Sequence, residues 1–112
     1  MTKLFLNPKE KKAIKEFKKN LRQKLGRGVF VLRLFGSKAR GDFKKSSDID
    51  VLIILKKNTI QNRDLIFQVS AEILIKYGID LSIKIFSDRE YKKSLNLEVP
   101  FFINVQKEGV AL

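Results

Sequence analysis

Histidine and cysteine are both absent from this chain of 112 residues. The missing cysteine excludes disulfides and thiolate catalysis. The missing histidine excludes Ser-His-Asp triads and zinc sites built on imidazole. Any proton transfer must therefore use Asp, Glu, Lys or Tyr, and any bound metal must accept oxygen ligands, as Mg²⁺ and Mn²⁺ do.

The sequence also has no run of about 18 apolar residues, which argues against a transmembrane helix. The stretch over residues 1–7 is too short for a signal peptide, so we expect a cytoplasmic protein with no membrane partner. The content of 44% apolar and 32% charged residues is typical of a globular protein. A chain of this length predicts a single domain over residues 1–112.

Acidic residues are scarce in the first part of the chain. Residues 1–45 hold 15 Lys and Arg against 3 Asp and Glu, whereas residues 46–112 hold 9 of each, and the net charge is +12. The cationic part is expected to attract an acidic protein, a nucleic acid or a free nucleotide. The alternative interpretation is a solvated helix face that is rich in lysine.

Capping signals and hydrophobic periodicity predict an α/β (α+β) fold, in which helices cover a small mixed sheet of three to four strands. The second strand is apolar on both faces after its acidic start, so we expect it in the middle of the sheet. The predicted helices cover residues 8–25, 60–77, 88–95 and 100–107, with one helical turn at 37–40, and the predicted strands cover 29–35, 48–55, 79–86 and 109–112.

Three acidic residues are the candidate catalytic and metal-binding groups. Asp48 and Asp50 open the second strand and, being two residues apart, share one of its faces. Asp80 lies near the start of the third strand. If that strand pairs beside the second with its acid at the same end, the carboxylates converge and can hold two Mg²⁺ ions for displacement at phosphorus. Asp80 would then take the proton of the attacking hydroxyl.

Gly36-Ser37 is the candidate phosphate-binding turn. Glycine lets the backbone approach a phosphate, and the serine offers a hydroxyl and an N–H. Arg40 adds positive charge, with Lys38, Lys44 and Lys45 nearby. The turn is not a P-loop, because the upstream glycine is missing. Each part also has a purely structural interpretation: Asp-x-Asp as a turn or helix cap, Gly-Ser as a turn, and Arg40 as an ion-pair partner.

The segment from Leu34 to Gly41, followed by Ser47-Asp48-Ile49-Asp50-Val51-Leu52, resembles the minimal nucleotidyltransferases of the DNA-polymerase-beta-like superfamily. The signature of that superfamily is Gly-Ser, about ten residues, and Asp-x-Asp. The specific match covers residues 29–55. The position of Asp80 in a third strand is similar in order.

The resemblance implies transfer of a nucleotidyl group from ATP or another NTP with two Mg²⁺ ions, Mn²⁺ being an alternative. Gly36 and Ser37 would bind the β- and γ-phosphates, and Asp48, Asp50 and Asp80 would hold the metals. Many short members are antitoxins that transfer AMP to a HEPN-type RNase toxin, which implies a hetero-oligomer. The alternatives are an antitoxin that acts by contact alone, transfer to a small molecule such as an aminoglycoside, and binding of nucleic acid.

Overall fold

The computed structural model describes residues 6–35 and 49–111. Over these residues the elements are α1 (Pro8–Leu25), β1 (Val29–Phe35), β2 (Ile49–Leu55), α2 (Ile60–Tyr77), β3 (Leu81–Ser87), α3 (Asp88–Asn96), α4 (Pro100–Glu108) and β4 (Val110–Ala111), with a 3-10 turn at Gly26–Gly28. The predicted α/β class is therefore confirmed. The helical turn predicted at residues 37–40 lies outside the described residues.

Local sequence signals account for the ends of the helices. At the start of α1, the Asn7 side chain accepts a hydrogen bond from the backbone N–H of Glu10 at 2.8 Å, and the Glu10 carboxylate accepts one from the Asn7 N–H at 3.0 Å. Ser87 and Glu90 form the same capping box at α3. The α2 helix ends at Gly78, whose φ of 68° is left-handed and favours glycine. These caps satisfy backbone groups that each helix terminus would otherwise leave unpaired.

The four strands form one mixed sheet in the order β3-β2-β1-β4. β1 is antiparallel to β2 and to β4, whereas β2 and β3 are parallel and are connected through α2. β2 therefore lies inside the sheet, as its apolar sequence predicts. The register pairs Phe35 with Asp50 and Ile49 with Leu81. The end of β1 and the beginnings of β2 and β3 consequently meet at one edge, which we call the site edge.

The two faces of the sheet are covered by different helices. On the first face, α1 and α2 bury a core that includes Leu6, Ala13, Ile14, Phe17, Leu21, Leu32, Leu34, Ile49, Val51, Ile53, Leu55, Ile66, Val69, Ile73 and Leu81. On the second face, a smaller cluster joins Leu52 and Ile54 to Tyr91 of α3 and Phe102 of α4. Because side chains alternate along a strand, β2 contributes to both cores.

Two predictions from periodicity need correction. The third strand was expected over residues 79–86, but β3 begins at Leu81, because that residue is the first to pair with β2. Helical spacing also predicts Leu74 on the core face of its helix, but Leu74 is 44% exposed. The α2 sequence is apolar on its outer side as well, where Ile60, Phe67 and Ile75 are exposed, so its pattern does not mark a single face.

In the parts of the chain that the structure describes, no helix combines the length and the apolar character needed to cross a membrane.

Candidate active site

Of the predicted site residues, Asp50 is the one whose position in the structure is described in most detail. It is the second residue of β2, it is half-buried, and it lies on the second face of the sheet. Its neighbours in the paired strands are Phe35 of β1 and Ser82 of β3. The next residue of β2 on this face, Leu52, is fully buried. Asp50 therefore stands at the rim of the second core, where a carboxylate remains accessible to a substrate or an ion.

Asp80 lies at the same edge of the sheet. It is exposed, and it directly precedes Leu81, which pairs with Ile49 at the start of β2. Asp50 pairs with Ser82 on β3, so Asp80 lies two residues before the partner of Asp50 on the neighbouring segment of chain. The structure thus places both acids at the site edge, with Asp80 just outside the paired ladder.

The remaining predicted residues, Gly36, Ser37, Arg40 and Asp48, lie outside the described residues. The described residues that flank this segment in the sequence, Phe35 and Ile49, both lie at the site edge. Within residues 6–35 and 49–111, no group of three or more His, Cys, Asp or Glu side chains is close enough to hold a metal ion. The predicted trio needs Asp48, so the metal site remains a prediction.

Carboxylate oxygens are the donors that Mg²⁺ and Mn²⁺ prefer, and the two acids at the site edge are of that type. The half-buried position of Asp50 suits a ligand, because partial burial holds the side chain near one place while leaving part of it accessible. The donor set at this edge therefore fits a hard divalent cation. Soft metals are disfavoured, since the chain contains no cysteine or histidine.

Two cationic residues share the face that carries Asp50. One step inside the sheet, Leu52 pairs with Arg33 on β1 and with Lys84 on β3. Arg33 is half-buried and Lys84 is exposed. The alternation of Asp80, Ser82 and Lys84 indicates a shared face, but sequence reasoning did not assign either cation to the site. Positive charge one row behind the carboxylates favours an anionic ligand, such as a phosphate chain.

The apolar sequence of residues 99–103 predicts either a contact surface or a part of the core. Phe102 is 8% exposed and packs in the second core, whereas Phe101 is 38% exposed. The core interpretation is therefore correct for Phe102. Phe101 is partly outside it, on the same side of the sheet as Asp50, through its contact with Phe35.

Comparison with known proteins gives a consistent set of matches. A family model described as a nucleotidyltransferase domain matches residues 14–102. Two proteins of Methanocaldococcus jannaschii, each named a putative protein adenylyltransferase, are similar over nearly the whole chain. One is 36% identical over 103 residues, which cover 92% of this chain and 97% of that protein. The other is 38% identical over 102 residues, with 87% and 92% covered.

A crystal structure described as a putative nucleotidyltransferase from Sulfolobus solfataricus also aligns with the chain. The alignment has 18% sequence identity and a TM-score of 0.47, and it covers 95% of this chain and 86% of the other.

Proposed function

The chain belongs to the nucleotidyltransferase domain family, and from that premise we propose that it transfers AMP from ATP to a hydroxyl group of a partner protein. The observation that carries this proposal is the site edge, where Asp50 is half-buried on β2 and Asp80 is exposed directly before the adjacent strand β3. The relatives named protein adenylyltransferases support a protein as the acceptor and ATP as the donor.

Within this proposal, Asp48, Asp50 and Asp80 hold two Mg²⁺ ions, and Mn²⁺ can replace them. The bound ions would polarise the phosphoryl oxygens and neutralise the charge of the leaving pyrophosphate. Asp80 would accept the proton of the acceptor hydroxyl, because it is an exposed carboxylate at the site edge and the chain has no histidine for that task. Its exposure leaves it open to an incoming acceptor.

Gly36 and Ser37 would bind the β- and γ-phosphates, and Arg40 would add positive charge to the same group. Two features of the described residues support an anion at this edge. The segment that carries Gly36 and Ser37 starts directly after Phe35, at the site edge. Arg33 and Lys84 bring positive charge to the face on which Asp50 lies.

We propose a HEPN-type RNase toxin as the acceptor, in a hetero-oligomer in which this chain is the antitoxin. Support for a protein acceptor comes from the outer side of α2, where Ile60, Phe67, Leu74 and Ile75 are exposed at 75%, 48%, 44% and 85%. Exposed apolar patches of this kind mark surfaces that bind other proteins. The same patch also supports the second candidate function, an antitoxin that neutralises its partner by contact without any transfer.

An experiment with labelled ATP distinguishes catalytic transfer from neutralisation by contact alone. The chain is incubated with Mg²⁺, ATP labelled at the α-phosphate and the purified partner toxin. Catalysis predicts label on the partner with the native chain and none with the Asp48→Ala/Asp50→Ala double variant. Asp88→Asn is the matched control, because Asp88 directly follows Ser87 at the end of β3 opposite the site edge and is not part of the exposed side of α2, so its loss should leave labelling unchanged.

Other outcomes would count against transfer to the partner protein, or against its role in neutralisation. Equal labelling by the native chain and the double variant would remove Asp48 and Asp50 from the reaction. If the double variant transfers nothing but still silences the toxin in cells, contact is sufficient for neutralisation. Labelling of an aminoglycoside in preference to the protein would assign the small-molecule alternative, and salt-sensitive RNA binding without any labelling would assign the nucleic-acid one.

A further inference from the structure

Phe101 has an unusual combination of contacts and exposure. It is the second residue of α4, and its ring contacts three other rings edge-on or tilted. The ring centroids lie 5.1 Å from Phe102, 5.7 Å from Phe35 and 6.4 Å from Phe86. Such contacts fix the orientation of a ring. Yet 38% of Phe101 remains exposed, whereas its neighbour Phe102 is 8% exposed.

The contacts of Phe101 place it beside the carboxylate site. Phe35, which it meets at an interplanar angle of 88°, pairs with Asp50 across the two strands. Phe86 lies on the same face of β3, two rows further inside, where it pairs with Ile54. The ring of Phe101 therefore spans the second face between the row of Asp50 and the interior. Phe101 therefore lies on the same face of the sheet as Asp50.

Three kinds of group thus meet on one face: a carboxylate at the rim, cations in the next row, and a rigid and partly exposed aromatic ring. A nucleotide presents the matching chemistry, because it joins a metal-binding phosphate chain to a flat base. The aromatic ring on α4 is therefore a candidate surface for the base.

We propose that the base of the bound nucleotide stacks on the ring of Phe101, and that the contact with Phe35 helps to hold that ring in place. This inference rests on the proposed nucleotidyl transfer and goes beyond it by naming the residue that recognises the base. Stacking on an aromatic ring tolerates every base, because each base has a π-face. Phe101 should therefore increase affinity for ATP and for GTP by similar factors, without selecting between them.

The experiment separates the base from the phosphates. Binding of ATP, GTP and inorganic tripolyphosphate is measured by calorimetry in the presence of Mn²⁺. Phe101→Leu keeps an apolar side chain of similar bulk but removes the π-face. It should weaken ATP and GTP by about 5- to 150-fold, the range typical of one stacked base, and leave tripolyphosphate within about twofold. Phe101→Trp should restore nucleotide binding.

Phe67→Leu is the matched control, because Phe67 is also partly exposed, at 48%, but lies on α2, on the other side of the sheet. It should change none of the three affinities. Equal weakening of nucleotide and tripolyphosphate by Phe101→Leu, or no weakening of either, would overturn the stacking role. A native chain that binds tripolyphosphate but no nucleotide would overturn it too, while leaving a phosphate site in place. A native chain that binds none of the three ligands would overturn the proposed function itself.

Discussion

The two faces of the sheet are built for different purposes. The first face is covered by two helices of 18 residues each, and its core residues are nearly all fully buried. The second face is covered by two helices of nine residues each, and it carries Asp50, Ser82 and Lys84 beside its smaller core. The first face therefore provides most of the buried core, and the second face carries the candidate site. β2 contributes to both, because its alternate residues lie on opposite faces.

The largest effect expected from this division is on the first face. Phe17 of α1 is 1% exposed in the main core, so Phe17→Ala should lower the free energy of unfolding by about 3–5 kcal/mol. Urea denaturation followed by circular dichroism measures this. Phe67→Ala, on the outer side of α2, should change it by less than about 0.5 kcal/mol. If both changes cost the same, burial in the first core would not be what stabilises the domain.

Ligand binding should depend on the second face alone. A nonhydrolysable ATP analogue with Mn²⁺ at 100 times its Kd should raise the free energy of unfolding by about 2.7 kcal/mol. Asp50→Asn should abolish that increment. Ile66→Val, in the first core, should cost about 0.5–1.5 kcal/mol and keep the whole increment, because the two sites are separate. Thermal unfolding with and without the ligand tests both variants, and loss of the increment in Ile66→Val would contradict the division.

The caps allow a comparison of the helices on the two faces. Asn7→Ala at α1 and Ser87→Ala at α3 should each cost about 1 kcal/mol, because each removes a side chain that accepts a hydrogen bond from a helix N–H. The cost of Ser87→Ala is measured by urea denaturation with Asn7→Ala beside it. If only Asn7→Ala has an effect, then α3 does not unfold together with the rest of the domain.

The cap at α3 is also sensitive to pH. Hydrogen bonds from the side chain and the backbone of Ser87 hold the pKa of Glu90 below its usual value. A lowered pKa in the folded state stabilises the protein above the usual pKa of Glu, and this contribution is lost as the pH falls through the lowered value. The difference in the free energy of unfolding between the native chain and Ser87→Ala should therefore become smaller below about pH 4.

Much of this division could be predicted from the sequence. The capping boxes at Asn7 and Ser87 each depend on two residues three positions apart, so they can be recognised in the sequence without knowledge of the fold. The apolar run of β2 likewise predicts an interior strand, since both of its faces must be covered. The positions of Asp50 near the start of β2 and of Asp80 just before β3, at the same edge, follow once the two strands are known to be parallel, which a helix between two strands favours.

Other features could not be predicted, because they depend on residues that are distant in the chain. Arg33, Leu52 and Lys84 lie side by side on three strands. This row can be predicted only when the register of β1 with β2 and of β2 with β3 is known. The position of Phe101 beside Phe35 depends on how α4 packs across the sheet, which no local pattern records. The exposed apolar residues of α2 could not be predicted for a different reason, since apolar residues occur on more than one side of this helix and periodicity then detects no single face.

The smallest effect concerns an ion pair that joins the helices of the first face. Lys76 of α2 donates a hydrogen bond to Glu16 of α1 at 2.6 Å, and this bond holds the pKa of Glu16 below and that of Lys76 above their usual values. The contribution of the pair should be lost as the pH falls through the lowered pKa of Glu16, and again as the pH rises through the raised pKa of Lys76.

Glu16→Gln removes the charge while keeping most of the side chain, so its unfolding curve should differ from that of the native chain only between those two limits. Because the pair is exposed, the difference should be small and should shrink further in high salt. Urea denaturation at pH 3 and pH 7, at low and high ionic strength, measures it. A difference at pH 3 as large as that at pH 7 would mean that Glu16 stabilises the helix pair by packing and not by charge. The first face would then depend on apolar contact alone, which would make its contrast with the charged second face sharper still.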